Sequence, residues 1–436
     1  MAKSLKQPSY IDKRTLEIVL SDQKEELRAR RADKLCHRQE EQLIDLQSPQ
    51  AQVVIGVRRS GKSTLCFQAL ERAGVSYAYV DFDDERLAGI ETNQLNDVLE
   101  VLYKVYGGFD YLFLDEIQDV EGWHLFVNRI LRSRLHVIIT GSNAKLLSGE
   151  LATHLTGRAK EIHLYPFSFG EYCSVKGVED SRTTKSQGLL RGAFDEYMRD
   201  GGFPELFRIA DKRRYVSDLV NNVLKRDLEQ RYNIAYKEVF EQLTHHLFNI
   251  SPAMVVSKDL AKVFHVKSEH TVKNYIGYLK QAFMLVGIQK YSTKSKTRVT
   301  HEKLYAVDVA LMNQRENAMA GENLGWRLET IVLLQLLRRC KGNGWDLYYL
   351  NERSGECDFL VCNGNTVLEA IQVCYDITNP RTLSREVNGL LLANRVTRCE
   401  KLLLLTDWEY ADIERGGQRI AVRPVYQWAL ESGGLW

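Results

Sequence analysis

The densest concentration of phosphate chemistry in this chain is the run Gly56-Val57-Arg58-Arg59-Ser60-Gly61-Lys62-Ser63, followed by Thr64. It fits the pattern G-x-x-x-x-G-K-[ST], whose spacing has a physical reason. The glycines let the backbone N–H groups of Arg58, Arg59, Ser60 and their neighbours curl around phosphate oxygens. Lys62 then puts a positive charge on the β and γ phosphates, and the Ser63 hydroxyl is placed to ligate Mg²⁺. Thr64 opens the stretch TLCFQALERA, a helix whose N-terminal dipole faces the same anion. The apolar run VVI just before the loop supplies the strand that such a cradle needs. The expected ligands are ATP or ADP with Mg²⁺.

Two acids complete the chemistry. Tyr111-Leu112-Phe113-Leu114 is an apolar strand ending in Asp115 and Glu116. Asp115 joins the Mg²⁺ shell, and Glu116 polarises the attacking water. The next apolar run, VIITGSN, brings Asn143 to a strand end. There an amide orients water against the γ phosphate, or alternatively caps a loop or helix. Phosphoryl transfer also gains from an arginine that neutralises transition-state charge, often donated by a neighbouring subunit. Arg158, in HLTGRAKEIHLYPF, is the first candidate, and Arg132 and Arg134, in ILRSRL, come next.

The elements that must position these residues follow from the pattern of the chain. Residues 11 to 48 read as helical, without proline in the run before Ser48. VVIG, YAYVDF, YLFLDE and HVIITGS are short apolar runs separated by helical stretches, which indicates a parallel α/β sheet from about residue 50 to 165. From Pro166 to about Tyr236 the chain reads as mostly helical, with PFSFGEY and GGFPELF inside it. Residues 237–299 then read as helix, turn, helix and a β-hairpin with a basic tip, an order that resembles a winged helix. The last part, 300–436, mixes strands and helices again. At 436 residues the chain is too long for one core, and its 44% hydrophobic and 27% charged residues are those of a globular protein. No apolar run reaches the length of a membrane span, and the charged N-terminus lacks an apolar signal core, so the chain is expected to be cytoplasmic and free of membrane. Eight scattered cysteines without a C-x-x-C pair fit buried thiols in a reducing compartment better than disulfides or zinc.

Several segments together resemble a widespread prokaryotic group of AAA+-type P-loop ATPases that carry a C-terminal domain with a restriction-endonuclease-like core. The matching segments are GVRRSGKST, YLFLDEIQ, IITGSNAKLLS, LTGR, PFSFGEY, GGFPE, KRDLEQRYNI, the G-x-x-x-E of Gly325 to Glu329, and GECDFLV. The resemblance implies an α/β protein in five parts. Residues 1–49 form an N-terminal helical segment, 50–165 the P-loop ATPase core, and 166–236 a helical lid region. Residues 237–299 form a winged-helix-like domain and 300–436 the restriction-endonuclease-like domain. It also implies the sensor role for Asn143 and a homo-oligomer, such as a hexamer, with nucleotide between subunits. Restriction-endonuclease-like sites use a helix Glu, a strand Asp and an E-x-K, and Glu329, Asp358 and Glu369 match the acids. The lysine position is Ile371, followed by Gln372, which removes the cation that helps stabilise developing charge. Two readings follow: a degenerate, structural or DNA-holding domain, or a metal-dependent nuclease in which Gln372 stands in.

A net charge of +2 decides nothing about nucleic acid, so local charge carries that question. Lys258, Lys262, Lys267 and Lys273 lie in the helix-turn-helix segment, and Lys294, Lys296 and Arg298 at the hairpin tip. These cations would neutralise phosphates and make DNA binding fall steeply with salt, although solvated faces look the same. The sequence therefore supports a DNA-acting ATPase motor or remodeller, including one for branched DNA. The alternatives are a nucleotide-dependent signalling or defence switch and an ATP-regulated nuclease.

Overall fold

The computed structural model describes residues 10–31, 35–142, 155, 157–181, 183–292, 302–313 and 323–432. Asn143, Lys294, Lys296 and Arg298 lie outside the described residues. The chain divides into two compact units between Leu164 and Tyr165.

The first unit opens with α1 (Lys13–Arg30), capped by Asp12, whose Oδ1 accepts from the amides of Arg14 and Thr15 at 2.9 and 3.1 Å. Such a cap satisfies backbone donors that a helix start leaves unpaired. Leu16, Val19, Leu20, Gln23 and Leu27 form the buried stripe. Five parallel strands follow: β1 (Ala51–Ile55), β2 (Tyr77–Asp81), β3 (Tyr111–Asp115), β4 (His136–Gly141) and β5 (Ala159–His163). Their order across the sheet is β2-β3-β4-β1-β5. β1 and β3 are buried along their whole length, as strands covered on both faces must be. The connecting helices are α2 (Lys62–Ala73), α3 (Leu95–Tyr106) and α4 (Trp123–Arg132). At the β2 edge, the Gln23 amide donates to the carbonyl of Asp81 and accepts from its N–H, each at 3.0 Å. A side chain thus occupies part of the edge where another strand would pair.

The second unit begins with α5 (Phe169–Lys176), started by a reciprocal capping box. Ser168 Oγ accepts from the Glu171 amide, and Glu171 Oε2 accepts from the Ser168 amide. After α6 (Thr184–Asp200), Gly202 accepts from the Phe167 amide at 2.7 Å and donates to Asp308 Oδ2 at 2.9 Å. A Cβ on Gly202 would lie 2.4 Å from the Phe167 carbonyl, and one on Gly201 would lie 2.0 Å from Asp308 Oδ1. The PFSFGEY and GGFPELF segments therefore meet as a packing joint.

Helix α7 (Lys212–Asn222) continues into a π-helical turn over Val223–Glu229. Then come α8 (Lys237–Asn249), the short β6 (Ala253–Met254), α9 (Ser257–Val263), α10 (Glu269–Gln281) and the strands β7 (Leu285–Lys290) and β8 (Glu302–Ala306). β7 and β8 are antiparallel neighbours, so the expected boundary at residues 299 and 300 falls inside a strand pair. β7 also pairs in parallel with β9 (Asp346–Glu352), matching Gln289 with Tyr348 and Lys290 with Tyr349. A nine-stranded sheet results, with β10 (Gly355–Asn363), β11 (Thr366–Val373), β12 (Leu402–Thr406), β13 (Ala411–Arg415) and β14 (Gln418–Pro424). Its order is β13-β14-β12-β11-β10-β9-β7-β8-β6. The boundary moves because pairing partners distant in sequence decide where a sheet ends. Helices α11 (Leu324–Asn343), α12 (Pro380–Thr397) and α13 (Val425–Ser432) complete the unit. No helix among the described residues is long and apolar enough to cross a membrane.

Candidate functional site

The phosphate cradle leaves the C-terminal end of β1 and turns into α2. Gly56 has no room for a side chain, because a Cβ there would stand 2.0 Å from the Leu164 carbonyl oxygen. Leu164 is held there by donating its own amide to the Ile55 carbonyl at 2.7 Å. Gly61 caps α2 with a φ of 94°, a conformation that glycine adopts without steric cost. Inside the loop the Val57 carbonyl accepts from the Ser60 amide at 3.2 Å and from Lys62 Nζ at 3.3 Å. An incoming phosphate can replace that carbonyl as the partner of Lys62. From outside the loop, the buried Arg38 guanidinium donates to the Ser60 carbonyl at 3.0 Å. Arg58 pairs with Asp83 at 2.8 Å, and Arg59 holds a left-handed φ of 67°.

Asp115 and Glu116 stand at the C-terminal end of β3. Asp115 Oδ1 accepts from Ser63 Oγ at 3.0 Å and also from Thr140 Oγ1, while its Oδ2 accepts from the Tyr79 hydroxyl at 3.1 Å. Burial and then the neighbouring Glu116 push its carboxyl above the usual range, although Thr140, Ser63 and Lys62 oppose them. Glu116 lies lower than usual. Burial would raise it, but the Lys62 ammonium and hydrogen bonds from Gln118 and the Ser142 amide outweigh that. Lys62 Nζ is 3.8 Å from Glu116 Oε1. Ser63 and Asp115 are hard oxygen donors side by side, the chemistry that Mg²⁺ selects. The cradle, the Mg²⁺ donors and Glu116 therefore come together.

Arg158 lies at the other end of the sheet. Its carbonyl accepts from the amide of Ala51, the first residue of β1, and its guanidinium donates to Asn128 at 3.2 Å. Arg132 and Arg134 are exposed beside the start of β4, at that same end. None of the three lies at the end of the sheet that carries this chain's own cradle.

Ser142 and Gln118 were not singled out in the sequence. Both bond Glu116, and both lie inside quoted segments, YLFLDEIQ and IITGSNAKLLS, whose spacing alone gave them no role.

In the second unit, Glu329 on α11 and Asp358 on β10 come together around Lys303, a residue outside every sequence motif. Lys303 Nζ, from β8, lies 2.7 Å from Glu329 Oε1 and 3.5 Å from Asp358 Oδ1. Burial works against this ammonium, but Glu329 and Asp358 together hold its pKa above the ordinary range. Tyr305 donates to Glu329 at 2.7 Å, and the Val373 amide donates to Asp358 Oδ2 at 2.9 Å. Gln372 accepts from the Asp358 amide at 3.3 Å and donates to Glu386 at 2.7 Å. Glu369 is not part of this group. Strand alternation puts it on the opposite pleat face from Gln372, where Arg339 and, at 3.0 Å, Lys401 pair with it. The expected four-residue constellation of Glu329, Asp358, Glu369 and Gln372 is thus corrected to Glu329, Asp358 and Lys303, with Gln372 beside Asp358. Lys303 brings to Glu329 and Asp358 a cation that the E-x-K position lacks, while the third acid, Glu369, is paired with Arg339 and Lys401.

Along α9, α10 and the turn between them, Lys258, Lys267 and Lys273 are exposed. Lys273 pairs with Glu269 at 3.0 Å, and Lys262 with Asp259 at 3.6 Å.

The parallel sheet and its phosphate loop define the first unit as an AAA-type P-loop ATPase domain, and residues 48–173 match the family described as an AAA domain. Residues 191–322 match a domain of unknown function, DUF8612. Uncharacterized protein MJ1544 of Methanocaldococcus jannaschii is 30% identical over 446 residues, spanning 98% of each chain. The protein belongs to the same family as MJ1544. An uncharacterized protein of Haemophilus influenzae is 31% identical over 398 residues, covering 87% of this chain and 94% of the other. Among solved structures, the Walker-type ATPase PABY2304 of Pyrococcus abyssi aligns with a TM-score of 0.41 at 16% identity. That alignment covers 64% of this chain and 96% of the other.

Proposed function

We propose that the protein hydrolyses ATP at the Gly56–Thr64 cradle and couples turnover to work on DNA as a homo-oligomer. The observation that carries the hydrolysis is the meeting of four side chains. Lys62 stands 3.8 Å from Glu116, and Ser63 stands 3.0 Å from Asp115. Lys62 exchanges the Val57 carbonyl for the β and γ phosphates, while the loop amides bind the remaining oxygens. Ser63 and Asp115 hold Mg²⁺, which neutralises charge on those oxygens when bound. Tyr79 and Thr140 keep Asp115 oriented. Glu116 polarises the water that attacks the γ phosphate. Arg158 acts in a neighbouring subunit's site, a reading supported by its place at the end of the sheet away from its own cradle. Asn143 completes the water-orienting group.

The DNA reading rests on Lys258, Lys267 and Lys273 of the α9–α10 segment, with Lys294, Lys296 and Arg298 in the sequence between β7 and β8. In this reading residues 166–236 act as a lid, the α9–α10 and β7–β8 segment as a winged helix, and the C-terminal sheet as a degenerate endonuclease-like layer. The pairing of Glu369 with Arg339 and Lys401, apart from Glu329 and Asp358, favours that degenerate form over a nuclease, and no hydrolytic step is derived there. The deciding experiment compares the ATPase rate with and without linear, single-stranded and branched DNA. Stimulation of severalfold or more is expected. Absence of both stimulation and binding at low salt refutes the DNA role and leaves a nucleotide-dependent switch.

A further inference from the structure

We propose that Gln118 and Ser142 are positioning residues for Glu116, fixing one carboxylate oxygen so that the other faces the water attacking ATP. The proposal rests on Glu116 being the water-polarising group, and it names two residues that this role requires.

The two oxygens of Glu116 have different surroundings. Oε2 accepts three hydrogen bonds: from the Ser142 amide at 3.0 Å, from Ser142 Oγ at 3.1 Å and from Gln118 Nε2. Oε1 is the oxygen that faces Lys62 Nζ, at 3.8 Å. Lys62 is the side chain that meets the terminal phosphates, so Oε1 points toward the reacting end of the nucleotide. The donors come from two directions. Thr140 and Ser142 lie two residues apart along β4 and its end, which puts them on one face of the strand. Thr140 bonds Asp115, and Ser142 bonds Glu116. Gln118 reaches back from the short 3₁₀ turn Ile117–Asp119. The backbone of Glu116 adds its own constraint, with a left-handed φ of 52° and an amide that donates to Thr140 Oγ1 at 3.3 Å.

The clamp also opposes a competing state. Lys62 is only 5% exposed, and an unclamped carboxylate beside a buried ammonium would close to a direct ion pair. That pair would withdraw both groups from the phosphate. Three donors on Oε2 hold Glu116 short of it, so the base stays available while Lys62 turns to ATP. The amide oxygen of Gln118 is buried and has no hydrogen-bond partner among the described residues. Its amide nitrogen is therefore the end of this side chain that the site uses.

The test measures kcat and KM for ATP in the full chain carrying Gln118→Ala, Ser142→Ala, Ser142→Thr or Glu116→Gln, with thermal melting and ATP binding as controls. Misplacement of a reacting group by about 1 Å costs up to about a hundredfold. Gln118→Ala and Ser142→Ala should each lower kcat roughly tenfold, with KM and ATP affinity unchanged. Ser142→Thr keeps the hydroxyl and should recover most of the rate lost in Ser142→Ala. A residue that mattered only for folding would shift the melt or ATP affinity with the rate. If Glu116→Gln is inactive while Gln118→Ala and Ser142→Ala turn over at the wild-type rate or faster, the positioning proposal is overturned alone. If Glu116→Gln turns over normally, the assignment of Glu116 fails first.

Discussion

Replacing Lys303 with methionine tests how the second unit is held together. Met keeps most of the side-chain length and removes the charge. The side chains of Lys303, Glu329 and Asp358 are only 13%, 11% and 6% exposed, so solvent screens their interaction weakly. Removing one partner of a buried ion pair leaves an uncompensated charge and typically costs about 3–5 kcal/mol. The lower end applies here, because Tyr305 and the Val373 amide still hydrogen-bond the two carboxylates. A loss of about 3 kcal/mol in a unit of this size lowers its melting temperature by roughly 6–10 °C. Calorimetry on the full chain should show one transition shifted by that amount and the other unmoved. Added Mg²⁺ should raise the melt of Lys303→Met more than that of wild type, since a divalent cation can enter once the ammonium is gone. A shift below about 1 °C would mean that the ion pair contributes nothing measurable and that the cluster is solvated.

Four further outcomes are expected. Glu116→Gln should bind ATP with wild-type affinity and lose turnover by about a hundredfold or more, because the metal donors survive and the base does not; normal steady-state hydrolysis would refute the role. Arg158→Ala should lower turnover without weakening nucleotide binding, and subunits carrying Arg158→Ala should recover activity when mixed with Lys62→Ala subunits; no recovery on mixing would remove the shared-site assignment. Gly56→Ala should abolish tight ATP binding, because the new methyl would occupy the space of the Leu164 carbonyl oxygen, and isothermal titration reads this directly. Burial pushes the Asp308 carboxyl up to about 6, against hydrogen bonds from the Ala310 and Gly202 amides. The folded state then holds this proton more tightly than the unfolded chain does. The stabilisation is complete below about pH 4 and is lost as pH rises through about 6. Asp308→Asn should remove that slope from the denaturation profile, and identical slopes in variant and wild type would contradict it.

The legible part of the protein is the part whose partners lie close in sequence. Gly56, Gly61, Lys62 and Ser63 fall within one loop, so chain geometry alone places their amides, ammonium and hydroxyl around one anion. Asp115 and Glu116 were readable because an apolar strand ending in two acids must present them at the C-terminal end of a parallel sheet. Alternating strands and helices likewise imply a parallel sheet, and the structure has one between Ala51 and His163. PFSFGEY stood out in the sequence only as a segment, and its capping box at Ser168 and Glu171 and its packing on the glycine pair at 201 and 202 came from the structure.

Tertiary structure decided everything that depended on distant pairing. No spacing rule could bring Lys303 from β8 to Glu329 and Asp358, and the sequence of β11 shows only that its own lysine is missing. Strand alternation separated Glu369 from Gln372, while the pairing of β7 with β9 joined segments that composition had divided. The cradle itself shows the same division. Its sequence determined the loop from Gly56 to Thr64 that is proposed to bind phosphate, because the contacts it would make are local backbone contacts. Only the neighbouring strand β4, reached through a separate crossover, could set Thr140 and Ser142 against the two acids and so orient the carboxylate beside Lys62.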